Sequence, residues 1–181
     1  SIILAVGLYF FVKNPVKSEN LDKGSFLDLL KIRQLWFILP LVLIHYAPVA
    51  GIRGLWIGPY INDNFYSASN LAFATTAMSL AMIAGTFAYG PMDRIFGTRK
   101  WIIFIGSSVS LVSLIGLALL NEISFGLAVA FFCSLGFFGM SYPLMIAHGR
   151  SFSPENLTGR CVTLLNMFAI GGVGIFQFLT G

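Results

Sequence analysis

The side chains able to do chemistry are concentrated in one stretch. His45, Tyr46, Arg53 and Tyr60 stand within a run of otherwise mostly apolar residues. Tyr46, Arg53 and Tyr60 recur every seven residues, a spacing that puts them on one face of a helix. A guanidinium between two phenols suits a carboxylate or phosphate, which it grips through paired, charge-assisted hydrogen bonds. Arg53 could instead carry its charge outward to an interface along its aliphatic stem. His45 could bind an anion or relay a proton; a neutral imidazole bonded to a neighbouring helix is the plainer alternative. Further along, Thr163, Asn166, Gly174 and Gln177 fall near one helical face, and Ser134, Ser141 and His148 repeat every seven residues. Such stripes either line a cavity or join helices by hydrogen bonds. The candidate ligand contacts are therefore His45, Tyr46, Arg53, Tyr60, Asn166 and Gln177.

The elements that must position these residues follow from where charge is absent. Charged residues make up 10% of the chain and apolar ones 57%, against about a quarter charged in soluble domains. No fixed charge occurs within residues 34–52, 64–92, 101–121, 123–149 or 161–181. Each window approaches or exceeds the roughly 20 residues with which a helix crosses a hydrocarbon core of about 30 Å. The predicted fold is all-α: a polytopic transmembrane helical bundle with spans near 34–60, 70–89, 101–120, 124–147 and 159–180. Residues 1–12 are apolar too but rise only about 18 Å as a helix, and read as the end of a truncated span. Residues 13–33 form a polar connection, and Ser25 with Asp28 forms a capping box that starts a short amphipathic helix. His45 falls about 15 Å into the first full span, near mid-membrane, and Arg53 about 27 Å along it, near the far edge.

The connections between spans carry a strong asymmetry. One side receives Lys13, Lys17, Lys23, Lys31, Arg33, Arg94, Arg99, Lys100, Arg150 and Arg160, ten of the eleven basic residues. The other receives Asp63 and Glu122 and no Lys or Arg. Basic loops stay in the cytoplasm, so the first side is predicted to be cytoplasmic. This accounts for the net charge of +4 without a nucleic-acid partner. Cys133 and Cys161 lie in apolar windows and read as packing residues. The sequence offers no clustered carboxylates, no His-rich metal motif, no phosphate-binding Gly-Lys-Ser/Thr loop and no cofactor signature, so neither a metal, a cofactor nor an enzyme is predicted.

Residues 90–100 read Gly-Pro-Met-Asp-Arg-Ile-Phe-Gly-Thr-Arg-Lys. This segment resembles the signature loop of the major facilitator superfamily, where Gly precedes Asp-Arg, a second Gly and paired basic residues. In that family the strong copy joins spans two and three, and a looser copy joins spans eight and nine. The spacing around Asp93 is the looser kind, so the resemblance implies the second half of such a transporter, from the end of span six through span eleven. Residues 54–60 and 148–160 also look like bacterial members. The implied function is secondary transport of a small solute by alternating access, leaning toward an organic anion. A coupling proton or ion and an N-terminal half of the same transporter would be its partners, with the bacterial cytoplasmic membrane as its location. The resemblance further implies that Gly90, Asp93, Arg94, Gly97, Arg99 and Lys100 form a conformational switch loop, with the two glycines permitting a tight turn. A solvated loop without switching is the alternative. A non-transporting receptor or assembly subunit, and less readily a membrane enzyme, are the other classes to weigh.

Overall fold

A computed structural model describes residues 25–120 and 124–181. The expectations for residues 1–12 and 13–24 and for the Asn121 and Glu122 turn lie outside the described residues. Every regular element among the described residues is helical. The short α1 (Phe26–Leu30) opens on the predicted capping box: the Ser25 hydroxyl accepts from the Leu27 amide and the Asp28 carboxylate accepts from the Ser25 amide. Lys31 bonds the same carboxylate at 2.8 Å and, with the Ser25 amide, holds the Asp28 carboxyl below its ordinary range.

Five helical segments are long and apolar enough to cross a membrane, which marks the chain as an integral membrane protein. The first is α2 (Arg33–Gly51), a π-helical turn (Ile52–Trp56) and α3 (Ile57–Phe65), which together run without a break. Then come α4 (Ala68–Phe96) and α5 (Arg99–Leu119). The fourth segment is α6 (Phe125–Gly139) followed by α7 (Tyr142–Arg150), and the last is a 3₁₀ turn (Glu155–Leu157) leading into α8 (Thr158–Thr180).

Three expectations about connections are corrected. The outer loop is nearly absent, because α3 continues to Phe65 and the chain reverses at Tyr66, whose left-handed φ of 47° ends the helix. The second span does not stop at Tyr89. Helix α4 passes through Gly90 and Pro91 to Phe96, so Gly90 makes no turn. The reversal is confined to Gly97 and Thr98, with Gly97 at a φ of 60° that suits a residue lacking Cβ. Helix α4 lasts this long because its final turn is fastened to α5 by an ion pair described below. Finally, the fourth span is not one helix. Pro143 has no amide to offer the Gly139 carbonyl four residues back, and the chain takes tighter turns through Met140 and Ser141 before α7 begins.

The bundle is built around α6, with Phe132 and Leu135 almost fully enclosed. Helix α2 packs along α8, α4 along α6, and α5 along α6. Lipid supplies no hydrophobic drive between helices, so close backbone approach and interhelical hydrogen bonds must hold these pairs. A Cβ at Gly172 of α8 would run into the Leu43 carbonyl of α2. One at Gly85 of α4 would run into the Phe137 carbonyl of α6. Helices α4 and α8 each leave one long face open, whereas α6 and α7 are the most enclosed.

These contacts predict opposite outcomes for two alanine substitutions. Gly172→Ala should destabilise the full-length protein by about 1–3 kcal/mol, because the obstacle is backbone and cannot rotate away. Gly126→Ala, where a Cβ would meet nothing, should stay within about 0.5 kcal/mol of the parent. Thermal unfolding in detergent followed by size exclusion checks both.

Candidate functional site

The two prolines of α2 determine much of the local geometry. Pro48 cannot donate to the Ile44 carbonyl, and four residues later the ladder widens. The Ile57 amide bonds the Ile52 carbonyl five residues back, which defines the π turn Ile52–Trp56. Such turns recur at functional sites because they displace a side chain from its helical phase and loosen nearby carbonyls. Arg53 and Gly54 lie in this one.

Arg53 is exposed, and its Nε donates to the Ser79 hydroxyl of α4 at 3.4 Å. Ser79 is free to accept because its own proton goes to the Thr75 carbonyl at 2.7 Å. Among the described residues no carboxylate pairs with Arg53. The next residue, Gly54, faces Gln177 of α8, which lies 3.2 Å from where a Cβ would be. Tyr46 stands seven residues before Arg53, and its ring lies 4.4 Å from that of Tyr142 of α7. Three separate contacts thus tie the first span to its neighbours: Arg53 to Ser79 of α4, Tyr46 to Tyr142 of α7, and Gly54 to Gln177 of α8. The guanidinium, with donors left unused, is the group of this set suited to an anion.

Other predicted contacts go elsewhere. The π turn rotates Tyr60 out of phase with Tyr46 and Arg53. Its ring meets Phe132 of α6 edge-on at 5.5 Å, and it lines a cleft between α3 and α5 with Leu114 and Leu117. Asn166 donates to the Val162 carbonyl of its own helix and is half-buried. His45 is held on both ring nitrogens. Nδ1 faces the Ser107 hydroxyl of α5 at 3.0 Å, and Nε2 faces Ser141, in the break between α6 and α7, at 2.8 Å. The Ser107 proton is committed to the Ile103 carbonyl at 2.8 Å, so Ser107 accepts from Nδ1–H and Ser141 donates to Nε2. His45 therefore ties three helices together, in keeping with its plainer reading.

The seven-residue serine stripe is divided by the break before α7. Ser134 accepts from Ser113 of α5 at 3.0 Å, Ser141 bonds His45, and His148 sets its ring edge-on to Phe152 at 5.1 Å. Sequence reasoning missed Ser79 and Tyr142, which carry no local signal: Ser79 is one of several hydroxyls in apolar windows, and only tertiary packing sets it beside Arg53. It also passed over Ser107, whose hydroxyl completes the histidine node.

At the opposite end of the bundle, Asp93 of α4 pairs with Arg99 of α5 and not with Arg94. The guanidinium Nε reaches both carboxylate oxygens at 2.9 and 3.0 Å, and Nη2 reaches one at 2.9 Å. Nη1 donates to the Ala147 carbonyl of α7 at 3.4 Å. One side chain thus clamps the ends of three helices, with bidentate geometry that Lys could not reproduce. Arg94 and Lys100 are exposed and take no part in this ion pair.

Scanned against family models, curated proteins and solved structures, the chain finds no match.

The histidine node yields a stability prediction. Ser141→Ala leaves the buried Nε2 without its donor and should cost about 1–3 kcal/mol. A double-mutant cycle with His45→Ala should give a coupling of about 0.5 kcal/mol or more. Ser108→Ala, a half-buried serine of the same helix as Ser107, serves as the near-neutral control in unfolding assays of the full-length protein.

Proposed function

We propose that this chain forms part of a secondary active transporter of the major facilitator type, carrying a small organic anion by alternating access across a bacterial cytoplasmic membrane. The observation that carries this reading is Arg53. It is a cation at the far end of an intramembrane helix, displaced by a π turn, bonded to one hydroxyl and matched by no acid among the described residues. Near the membrane edge with most of its donors unused, it stands where an anion entering the bundle would be met. The anionic group of the substrate would sit on the unused guanidinium nitrogens of Arg53, which Ser79 holds in place, and the Tyr46–Tyr142 pair, about 10 Å along the helix, would flank its remainder. The N-terminal half of the transporter would close the other side of the site, and any coupling proton or ion would act there.

The switching element of this reading is the Asp93–Arg99–Ala147 clamp. Clamped, it holds α4, α5 and α7 at fixed spacing; released, it lets α4 and α7 separate at that end while the Arg53 end closes. The six positions expected to form the switch then divide by role: Asp93 and Arg99 make the clamp, Gly97 makes the turn, and Gly90, Arg94 and Lys100 stand outside it.

Uptake of labelled mono- and dicarboxylates and phosphate esters into proteoliposomes with the full-length protein tests both parts. Arg53→Gln should lower uptake of the transported anion at least about tenfold, the value of one charge-assisted hydrogen bond. Ser79→Ala should lower it only a few-fold. Arg99→Lys and Asp93→Asn should slow turnover while leaving substrate binding, measured by equilibrium dialysis, near parent values. Full uptake by Arg53→Gln would remove the substrate role; full turnover by both clamp variants would remove the switch.

A further inference from the structure

Two clefts at the basic end of the bundle share a wall. One is polar, with a volume of about 580 Å³, and Asp93, Arg94, Arg99, Lys100 and His148 line it. The other is an apolar slot between α2 and α5 of about 530 Å³, lined by Phe37, Leu41, Trp101 and Phe104. Lys100 and His148 belong to both and stand where they meet. The slot does not end there. Leu41 and Ser107 also line a further cleft that reaches Leu111. From Lys100 to Leu111 the helix rises about 16 Å, close to one leaflet of a hydrocarbon core of about 30 Å.

The charge at the mouth is unbalanced. Asp93 is the one acid lining the polar cleft, and Arg99 occupies it with three hydrogen bonds. Arg94 and Lys100 remain exposed, with no carboxylate partner among the described residues. An anionic headgroup offered here meets two uncommitted cations. The tail attached to it meets a slot walled by aromatic and aliphatic side chains, including Trp101 at 59% exposure. Free phosphate would use only the polar half of this arrangement, and an apolar helix only the other half. The ligand whose parts coincide with both is an amphiphile.

We propose that the joined clefts hold an anionic glycerophospholipid, its phosphate between Arg94 and Lys100 and one acyl chain along the α2–α5 slot. Basic pockets between membrane helices favour such headgroups, and Trp at the mouth suits the headgroup level. The inference stands apart from the transport reading; it requires only that this end of the bundle meet a membrane surface. It would fasten a lipid beside the Asp93–Arg99 clamp without consuming either residue.

The test uses the full-length protein in phosphatidylcholine vesicles doped with brominated phosphatidylglycerol or, at equal mole fraction, brominated phosphatidylcholine. Bromine quenches nearby indole, and subtracting the signal of Trp101→Phe isolates Trp101 from Trp36 and Trp56. Brominated phosphatidylglycerol should half-quench Trp101 at about one-fifth the mole fraction that phosphatidylcholine needs, the preference one interfacial basic side chain confers. Lys100→Gln combined with Arg94→Gln should erase that preference. Lys31→Gln, a basic residue outside both clefts, should leave it intact. Unchanged quenching by brominated phosphatidylcholine in each variant reports that the slot is still folded. Equal quenching of the parent by the two lipids would overturn the proposal, leaving ordinary annular lipid. So would loss of the preference on adding millimolar inorganic phosphate at constant ionic strength, which would make the site one for free phosphate.

Discussion

Hydrocarbon offers no hydrogen bond, and this constraint governs the molecule. Each backbone carbonyl within the bilayer must find a donor inside the protein. Proline makes that hardest, because it removes a donor from the ladder. This chain has Pro40, Pro48, Pro59, Pro91 and Pro143 in or near the start of its long helices. Two of these coincide with the features of greatest consequence. Pro143 frees the Gly139 carbonyl, the helix breaks before α7, and Ser141 in that break donates to His45. Pro48 lies one turn before the π turn that carries Arg53.

The two polar centres that result are of opposite kinds. The His45 centre is closed: both ring nitrogens are bonded, and the serines that bond them come from separate helices. A satisfied network of this sort rigidifies what it joins. The Arg53 centre is open. Among the described residues its one hydrogen bond is long, it meets no acid, and most of its donors are unused. The two also differ in depth: His45 lies inside the charge-free window 34–52 and Arg53 just past its far end. Satisfaction of their hydrogen bonds separates them further.

That difference explains which features could be seen beforehand. The spans were legible because each charge-free window exceeds what a soluble helix would tolerate, and the capping box at Ser25 because its two residues act locally. Gly97 was legible as a turn for the same local reason. Gly90 was not: whether a Gly-Pro pair ends a helix depends on what holds the next turn, and here Arg99, six residues beyond Asp93, holds it. The seven-residue register of Tyr46, Arg53 and Tyr60 assumed an unbroken α-helical period. One widened turn lies between Arg53 and Tyr60, whose ring meets Phe132. Ser79 and Tyr142 needed the packing of α4 and α7 to become visible at all.

The basic loop illustrates how one short segment can serve two ends. Among Arg94, Arg99 and Lys100, only Arg99 spends its charge inside the protein, and it spends it completely, on Asp93 and the Ala147 carbonyl. Had Arg94 taken Asp93, a contact within α4, the carboxylate would have stiffened its own helix and bound nothing else. Pairing it across the turn converts a local charge into a joint between three helices. It also leaves Arg94 and Lys100 free at the mouth of an apolar slot, where a positive-inside bias alone would need no particular placement. The pattern of the loop is therefore better described as a division of labour than as a count of charges: one cation closes the bundle, and two face what lies outside it.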